Sequence, residues 1–595
     1  MFRAGLKPTT TSSSSRCIHS RRAPDHALPF NPPNAIKVPP SSGLKKHIQE
    51  MSQTLKSVSS NLLERFIDRA YRFSEQPSLN EGNFRPVNEM DEAVLLNNLD
   101  GEVPGDFPEG VYIRNGPNPL NPTQTIADSI FGSTSYMYYE GHGMLHAVYF
   151  DKSSLGEWKI SYRNKYVNSD TFQLERKNQV AFVPSADGQP YATLVAFVLN
   201  ILRFEKAVKD SANTNIFEHA GRAFAVTENH LPYEINISNL NTLGPYNING
   251  AWNQPFTSHP KKIHESGELV MMGTNPEKPH YVLGVISPDG ERLVHKADLK
   301  FEEGKLIHDI GVTKRYNIIM DYPLRFGISR TFLRKPFIEN DMNGKSRIGV
   351  MPRFGDAESI IWFDVENHCS YHLFNCFEDE NEVVIRGCRL LGSIIPSGRH
   401  RVDKSKWYGR AFLQPDKDSE DFDPSLDGTL FSRPYEWRLN LENGSVHEGY
   451  ITSEKVAMDF PVISDKFVGV QNKYGYAQVA DSLATSKTGL FKFKMIAKLH
   501  FNMPDKENKQ LISVEYHTLQ EKQFCSGVQF VAKKNGIDED DGWIVTYVHD
   551  EGTNSSQVYI IDAKRFSEEP VAKITLPQRV PYGFHGNFFY TSNQR

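Results

Sequence analysis

Short apolar runs alternate with turn-forming residues over most of the chain from about residue 100 onward. Residues 281–286 and 291–296 flank the turn sequence SPDG, and residues 437–441 and 445–451 flank an Asn-Gly pair. Asn-Gly readily adopts the positive φ angles of a tight hairpin turn. Residues 543–549 and 558–561 form two more strand-like runs around a polar loop. The pattern predicts antiparallel hairpins throughout this part of the chain.

Long amphipathic helical periods are missing between these runs, which disfavours parallel βαβ units. Many short antiparallel strands in one long stretch favour a β-propeller over a single sandwich or barrel. The sequence shows no WD-like or kelch-like signature at a fixed period, so the number of blades does not follow from periodicity. We therefore predict an all-β fold, with the propeller over residues 76–595.

Helical patterning is clear in two places. Apolar residues from Leu44 to Phe73 recur at steps of three and four, which predicts an amphipathic helix within residues 41–75. Residues 194–202 (LVAFVLNIL) are apolar but only half as long as the ~20 residues that a membrane span needs. Both segments fit helices or lids packed on their own domain. Peripheral contact with a membrane surface is the alternative.

The first 24 residues contain five basic residues, a run of four serines and no acidic residue. This composition is typical of an organellar transit peptide, although a disordered tail would look similar. We assign residues 1–40 to this targeting or disordered segment. Five scattered cysteines without a CxxC pair argue against a disulfide framework or a zinc site.

Overall composition is that of an ordinary globular protein, with 39% hydrophobic and 23% charged residues and a net charge of −5. A mixed charge of this size gives no reason to expect a nucleic-acid partner. Aromatic residues make up 11% of the chain, which suits both a sheet-rich fold and an apolar cavity.

Twenty histidines are present, and composition alone does not separate metal ligands from surface or core residues. The local sequence contexts of four of them are distinctive. These are His259 in FTSHPK, His308 in LIHDI, His372 in YHLFNCFE and His585 in RVPYGFHG.

Together with three other segments, these contexts identify a family resemblance that extends over nearly the whole chain after the N-terminal segment. The other segments are residues 112–119 (YIRNGPNP), 141–146 (GHGMLH) and 436–440 (EWRLN), and the His585 context contributes residues 580–586 (VPYGFHG). In this order they resemble the carotenoid cleavage dioxygenase family. The branch that looks most similar is the plant zaxinone synthase branch, on residues 387–389 (GCR), 393–396 (SIIP), 524–527 (FCSG) and 541–546 (DGWIVT).

The resemblance implies a seven-bladed β-propeller with Fe(2+) on its axis, held by His259, His308, His372 and His585. Ligands so distant in sequence suit convergence from several blades, and imidazole nitrogens suit iron. Histidine ligands usually donate their second ring N–H to a carboxylate. Glu228 and Asp459 match two such acidic positions of the family. At the third, this chain has Gly527, so water, a carbonyl or a neighbour such as Gln529 is expected to replace the acid.

Other residues near these motifs receive ordinary structural interpretations. His142 stands where most relatives have Asp, in a glycine-rich turn, and we do not predict that it is a ligand. Phe374 and Phe377, near His372, fit either the wall of a substrate tunnel or the core of a strand.

The activity that the resemblance implies is oxidative cleavage of a C=C bond by O₂. For the zaxinone synthase branch, the substrate would be a hydroxylated apo-10′-carotenal cut at the 13,14 bond in a plastid (chloroplast). Cleavage of intact carotenoids at 9,10 and 9′,10′ is the alternative within the family. A retinoid-type isomerohydrolase, which uses iron without O₂, and a catalytically silent carotenoid-binding propeller are the alternatives from other classes.

Overall fold

The computed structural model describes residues 62–395, 404–508 and 511–591. The predicted targeting segment 1–40 and most of the predicted helix lie outside these ranges. The described residues from Leu63 onward belong to one compact unit.

Helices are few and short. They are α1 (62–70), α2 (Pro77–Asn80), α3 (Asp170–Asn178), α4 (Pro190–Phe204), α5 (Ile328–Phe332), α6 (Lys404–Ala411) and α7 (Ser482–Thr488). No helix within the described ranges combines the length and apolar content that a membrane crossing requires.

The predicted N-terminal helix is wrong at its C-terminal end. The helix stops at residue 70, and residues Tyr71–Ser74 form a strand instead. This strand pairs with residues 126–129, and Tyr71 and Ile67 are buried in one apolar cluster. Packing and strand pairing therefore override the helical periodicity in the last turn.

Strands make up most of the remaining structure. In chain order the first eighteen are β1 (Tyr71–Ser74), β2 (Met90–Leu95), β3 (Leu99–Gly101), β4 (Gly110–Asn118), β5 (Ile126–Ser129), β6 (Gly132–Ser135), β7 (His142–Lys152), β8 (Trp158–Tyr166), β9 (Asp187–Gly188), β10 (Asn215–His219), β11 (Arg222–Val226), β12 (Tyr233–Ile235), β13 (Thr242–Pro245), β14 (Lys261–Lys262), β15 (Leu269–Thr274), β16 (Tyr281–Ile286), β17 (Leu293–Asp298) and β18 (Gly311–Val312).

The others are β19 (Tyr316–Asp321), β20 (Leu324–Phe326), β21 (Ile338–Asn340), β22 (Ser346–Pro352), β23 (Ile361–Val365), β24 (Leu373–Asp379), β25 (Glu382–Arg389), β26 (Arg433–Asn440), β27 (Val446–Tyr450), β28 (Met458–Val462), β29 (Tyr474–Ala480), β30 (Phe493–Pro504), β31 (Ile512–Thr518), β32 (Gln523–Ala532), β33 (Gly542–Asp550), β34 (Ser555–Asp562), β35 (Ala572–Thr575) and β36 (Gly586–Tyr590).

Antiparallel meanders of about four strands repeat along the chain, as in the blades of a β-propeller. Separate four-stranded sheets are formed by β10–β13, by β14–β17, by β18, β19, β22 and β23, and by β24–β27. A larger sheet contains β28–β35 together with β3, and a five-stranded sheet has the order β2-β8-β7-β4-β36. The predicted all-β propeller is confirmed, and the short helices lie in the connections between strands.

The hairpins predicted from sequence are present. Strand β16 pairs with β17, β26 with β27 and β33 with β34, each antiparallel. Gly290 and Gly444 have φ of 73° and 76°, which glycine adopts without strain.

The core consists of apolar clusters between neighbouring sheets. One cluster joins β10–β13 to β14–β17, and another joins β14–β17 to the sheet of β18 and β19. An early and a late part of the described ranges meet in the same way. Tyr112 of β4 packs with residues of β33 and β34, and β36 pairs with β4.

Candidate metal centre

The four predicted histidines occupy equivalent positions in four different sheets. His372 and His585 immediately precede β24 and β36, while His259 and His308 lie two and three residues before β14 and β18. Each of these strands is at one edge of its sheet. Residues far apart in sequence are thereby brought to one point.

The ring nitrogens of the four histidines form a compact set. One nitrogen from each ring lies within 4.8 Å of the others. The Nε2 atoms of His259 and His308 are 3.1 Å apart, and those of His585 and His372 are 3.2 Å apart. Two nitrogens that bind one ion at ~2.1 Å and at right angles would be about 3 Å apart. The set therefore has the spacing of ligands to a single metal ion.

Carboxylates fix the orientation of two of the rings. The Nδ1 atom of His372 lies 2.7 Å from Oδ1 of Asp459, and Nδ1 of His308 contacts Oε1 of Glu228. A carboxylate only accepts hydrogen bonds, so these Nδ1 atoms carry the proton and the Nε2 lone pairs point inward. Two Nε2 lone pairs that point at each other across 3.1 or 3.2 Å repel each other unless a cation lies between them. The arrangement therefore suits metal binding.

Electrostatics keeps the other two rings neutral. Burial lowers the pKa of His259 and of His585 well below the usual value, and the neighbouring imidazoles lower it further. Burial also acts on His308, but the carboxylate of Glu228 outweighs it and raises the pKa of that ring. Neutral imidazole is the form that binds metal ions, and an all-nitrogen set suits iron among the transition metals.

The carboxylate of Asp459 accepts two further hydrogen bonds. Its Oδ1 accepts the backbone N–H of Phe460 at 2.8 Å, and its Oδ2 accepts the hydroxyl of Ser432 at 2.9 Å. Asp459 is 4% exposed, so these donors replace the solvation that the carboxylate loses. The short aspartate therefore reaches His372 from a fixed position.

Asp309 ties three of the histidine loops together. Its Oδ1 lies 2.8 Å from Nζ of Lys261, next to the His259 loop, and its Oδ2 accepts the backbone N–H of Leu373 at 2.9 Å. His259 and Asp309 also form a parallel β-bridge. One buried carboxylate thus sets the spacing between the segments that carry His259, His308 and His372.

The loop of His585 is held by β4. The backbone N–H of Asn115 donates to the carbonyl of His585 at 2.9 Å, and the N–H of Phe584 donates to the carbonyl of Asn115 at 3.0 Å. The buried Arg114 donates through Nη1 to the carbonyl of Pro581 at 2.5 Å. Residues 112–119, which serve only as a family motif in the sequence, therefore position the fourth histidine.

Gly527 leaves no space for an acidic side chain. Its φ is 74°, and a Cβ atom at this position would lie 2.5 Å from Cγ of Arg114. The hydroxyl of Tyr112 donates to the carbonyl of Gly527. The amide Nε2 of Gln529, which the sequence suggested as a replacement for the missing acid, donates at 3.3 Å to the carbonyl of Phe530.

Several residues singled out in the sequence lie outside this centre. His142 is fully buried with Nε2 2.5 Å from Oε2 of Glu175, and it is not one of the four convergent histidines. Phe374 and Phe377 are core residues, 5% and 1% exposed. Packing in the core is enough to account for an aromatic side chain at both positions.

A second group of possible ligands consists of Asp170, Asp210 and His230. Nζ of Lys206 lies 3.2 Å from Asp170 and 3.5 Å from Asp210, which supplies the positive charge that a metal would otherwise bring. The four histidines are the better candidate.

Sequence reasoning missed the contributions of Asp309, Lys261, Ser432 and Phe460. Asp309 and Phe460 are directly adjacent to residues that were identified, but adjacency does not reveal a contact with a different blade. Lys261 and Ser432 carry no distinguishing sequence signal.

Comparison with known families gives one extended match. A family model described as "RPE65: Retinal pigment epithelial membrane protein" matches residues 84–590. Among similar curated proteins, the carotenoid 9,10(9′,10′)-cleavage dioxygenase 1 of Pisum sativum is 30% identical over 558 residues, covering 90% of this chain and 94% of that protein. The 9-cis-epoxycarotenoid dioxygenase NCED2, chloroplastic, of Oryza sativa subsp. japonica is 28% identical over 578 residues, covering 92% and 91%.

Solved structures show the same fold. The lignostilbene dioxygenase of Pseudomonas brassicacearum superimposes with a TM-score of 0.70 at 21% identity, covering 87% of this chain and 100% of that one. Cobalt-substituted Synechocystis ACO superimposes with a TM-score of 0.68 at 21% identity and the same coverage. The chain therefore belongs to the carotenoid oxygenase family, which includes the carotenoid cleavage dioxygenases, and is a dioxygenase.

Proposed function

We propose that this protein is an iron(II)-dependent dioxygenase that cleaves a C=C bond of an apocarotenoid, specifically a hydroxylated apo-10′-carotenal at the 13,14 bond. The observation that carries the proposal is the convergence of four imidazoles at metal-ligand spacing. His259, His308, His372 and His585 would hold Fe(2+), and Glu228 and Asp459 would orient two of them.

Fe(2+) held by the four histidines would supply the activation of O₂ for oxidative cleavage of the C=C bond into two carbonyl products. The protein's own contribution is positional. Carboxylates and packed rings hold the imidazoles, while Tyr371 and Phe460 place aromatic surface beside them. No side-chain acid or base is needed, because the reaction has no net proton transfer.

The assignment to apocarotenoids rests on segments that resemble the zaxinone synthase branch. Two of them adjoin the metal centre. The backbone N–H of Cys388 donates to the carbonyl of His372 at 2.9 Å, and Gly527 packs against Arg114, which holds the His585 loop. One segment that resembles the branch thus contacts His372 and another contacts Arg114, which supports the proposal that these segments influence substrate position.

The second candidate is cleavage of intact carotenoids at 9,10 and 9′,10′, the activity in the name of the Pisum sativum relative. Iron-loaded protein should be incubated in air with apo-10′-carotenals and, separately, with intact carotenoids, and the products identified by mass. We expect the apocarotenals to be consumed and the intact carotenoids to remain. Preferential turnover of intact carotenoids would favour the second candidate.

We further propose that the propeller has seven blades. Four of them would be the four-stranded sheets that begin with β10, β14, β18 and β24. The large sheet would supply two more, β28–β31 and β32–β35, since these halves are joined through the single residue pair Phe493 and Cys525. The five-stranded sheet would be the seventh. Apolar clusters between successive sheets support a closed ring of this size.

A location in the plastid, in peripheral contact with a membrane, completes the proposal. The N-terminal composition favours targeting, and the Oryza sativa relative is named chloroplastic. Helices α4 and α5 contact each other and expose Leu202, Phe332 and Leu333 at 63%, 65% and 70%. Arg334 and Lys335 follow directly, so an apolar patch with adjacent cations would suit a lipid surface.

This contact can be tested by sedimentation with vesicles of mixed neutral and anionic lipids. The double variant Leu202→Glu/Leu333→Glu should lose binding, while Leu155→Glu/Ile537→Glu, at residues 84% and 95% exposed elsewhere, should retain it. Equal binding of both variants would contradict a role for this patch.

A further inference from the structure

Among the described residues, no carboxylate contacts His585 in the way that Glu228 and Asp459 contact His308 and His372. Gly527, at the position where the family has an acid, has a positive φ, and its surroundings are filled by Arg114. A metal ligand still needs a fixed ring plane, since the lone pair of Nε2 lies in that plane. Another group must therefore restrain the imidazole of His585.

The side chain of Phe460 lies against this ring. Its centroid is 4.9 Å from that of His585 with an interplanar angle of 28°, a stacked arrangement, and 4.7 Å from that of His372 at 42°. On its other sides Phe460 packs on Phe584 at 6.4 Å and on Phe493 at 5.3 Å. Phe460 is 8% exposed, so the ring has little freedom to move. One aromatic side chain therefore touches two of the four histidines.

The backbone of Phe460 is unusual. Its φ is 56°, in the left-handed region that bulky residues rarely occupy. Here the register between β28 and β29 shifts between Asp459 and Val462. The strained conformation places the N–H of Phe460 2.8 Å from the carboxylate of Asp459 while turning its ring toward His585. Such strain persists where the surroundings hold a residue firmly, and it is common at functional sites.

We infer that Phe460 is a positioning residue that orients His585 by ring stacking, in place of the missing acidic partner. Through its backbone N–H it also holds Asp459, the partner of His372. Phe460 thus links an imidazole restrained by packing to one restrained by a carboxylate. This inference rests on the proposed function, because it supposes that the four histidines hold a metal ion.

The test uses cobalt(II)-loaded full-length protein and two readouts besides activity: the d–d absorption bands and the rate at which a chelator removes the metal. Phe460→Leu keeps an apolar side chain but removes the stacking ring. Phe224→Leu is the matched control, since Phe224 is buried at 0% and its ring packs on Phe217 and Tyr246, away from Phe460. Thermal unfolding of each variant reports whether it is folded.

We expect Phe460→Leu to shift the d–d bands and to release cobalt about ten- to a hundred-fold faster, the size of effect seen when ligand-orienting partners are removed. Phe224→Leu should stay within about twofold of the unmodified protein. If Phe460→Leu does not fold, Phe460→Met replaces it in the same comparison. Equal spectra and release rates for the Phe460 and Phe224 variants would overturn the inference, whereas failure of the unmodified protein to bind cobalt would overturn the proposed function itself.

Discussion

The candidate metal centre has two differently supported halves. His308 and His372 each face a carboxylate through Nδ1, those of Glu228 and Asp459. The set is completed by His259 and His585, which lie 4.4 Å apart between ring centroids. Around His585 the structure provides a stacked phenyl ring and backbone hydrogen bonds to β4.

The difference shows two ways to orient a neutral imidazole. A carboxylate fixes the tautomer by a charge-assisted hydrogen bond and increases the basicity of the ligand nitrogen. Packing fixes the ring plane without adding charge. We expect the orientation of His308 and His372 to depend on single hydrogen bonds. The orientation of His259 and His585 should depend instead on the shape of the side chains packed around them.

The largest effect is expected from removal of a histidine in either half. His372→Ala and His585→Ala each delete one of four nitrogens, so metal binding and turnover should fall to background in both. Metal content per chain after ferrous loading, together with oxygen uptake, measures this. If either variant kept full iron content and activity, that histidine would not be a ligand.

Neutral isosteres of the carboxylates should have the next largest effect. Glu228→Gln and Asp459→Asn keep the shape but lose the charge-assisted bond, so metal affinity should fall about ten- to a hundred-fold. Competition with a chelator gives the affinity. Ser432→Ala, which removes one donor to Asp459, should have a smaller effect. Unchanged affinity in both carboxylate variants would show that the histidines do not need them.

Restoring the family's acid at position 527 should fail. Gly527→Glu forces a side chain into a backbone with φ of 74° and against Arg114, so stability should fall by at least about 2 kcal/mol without a gain in metal affinity. Thermal unfolding and chelator competition are the measurements. A variant that folds normally and binds iron more tightly would mean that packing does not replace the acid in this chain.

The buried pair of His142 and Glu175 lies outside the metal centre. We expect its removal to have no effect on metal binding. Burial raises the pKa of Glu175, but Lys209 and His142 lower it to about 2 overall, from an ordinary value of 4.5. Glu175→Gln removes this buried pair, so the free energy of unfolding should decrease by about 3 kcal/mol at neutral pH. Metal affinity should be unchanged. A loss of metal would show that this pair supports the centre from a distance.

The same shift gives a pH dependence with a definite sign. Because the folded-state pKa of Glu175 lies below the unfolded value, its contribution to stability is complete above about pH 4.5 and disappears as the pH falls toward 2. The stability difference between the unmodified protein and Glu175→Gln should shrink over this range. A difference independent of pH would contradict the ion pair.

The sequence predicts the fold class and the four histidines, for identifiable reasons. Alternating runs with Asn-Gly and SPDG turns specify hairpins locally, and the contexts of His259, His308, His372 and His585 are distinctive. It does not predict contacts between blades. The role of Asp309 depends on Lys261 and Leu373, which are the first residues of β14 and β24, and that proximity exists only once these sheets have packed together.

The sequence does not predict local backbone strain either. The segment Asp459-Phe460-Pro461 has no sequence feature that indicates a positive φ at Phe460. The end of α1 is a similar case, since helical periodicity continues through Phe73 while pairing with β5 makes Tyr71–Ser74 a strand. In both places tertiary contacts outweigh local preference.

The most direct test of the account is X-ray absorption at the iron edge of ferrous-loaded protein. Four imidazoles on one ion predict a nitrogen shell at ~2.1 Å with the outer-shell scattering of four rings. A sulfur ligand, or fewer than four imidazoles, would contradict the centre described here.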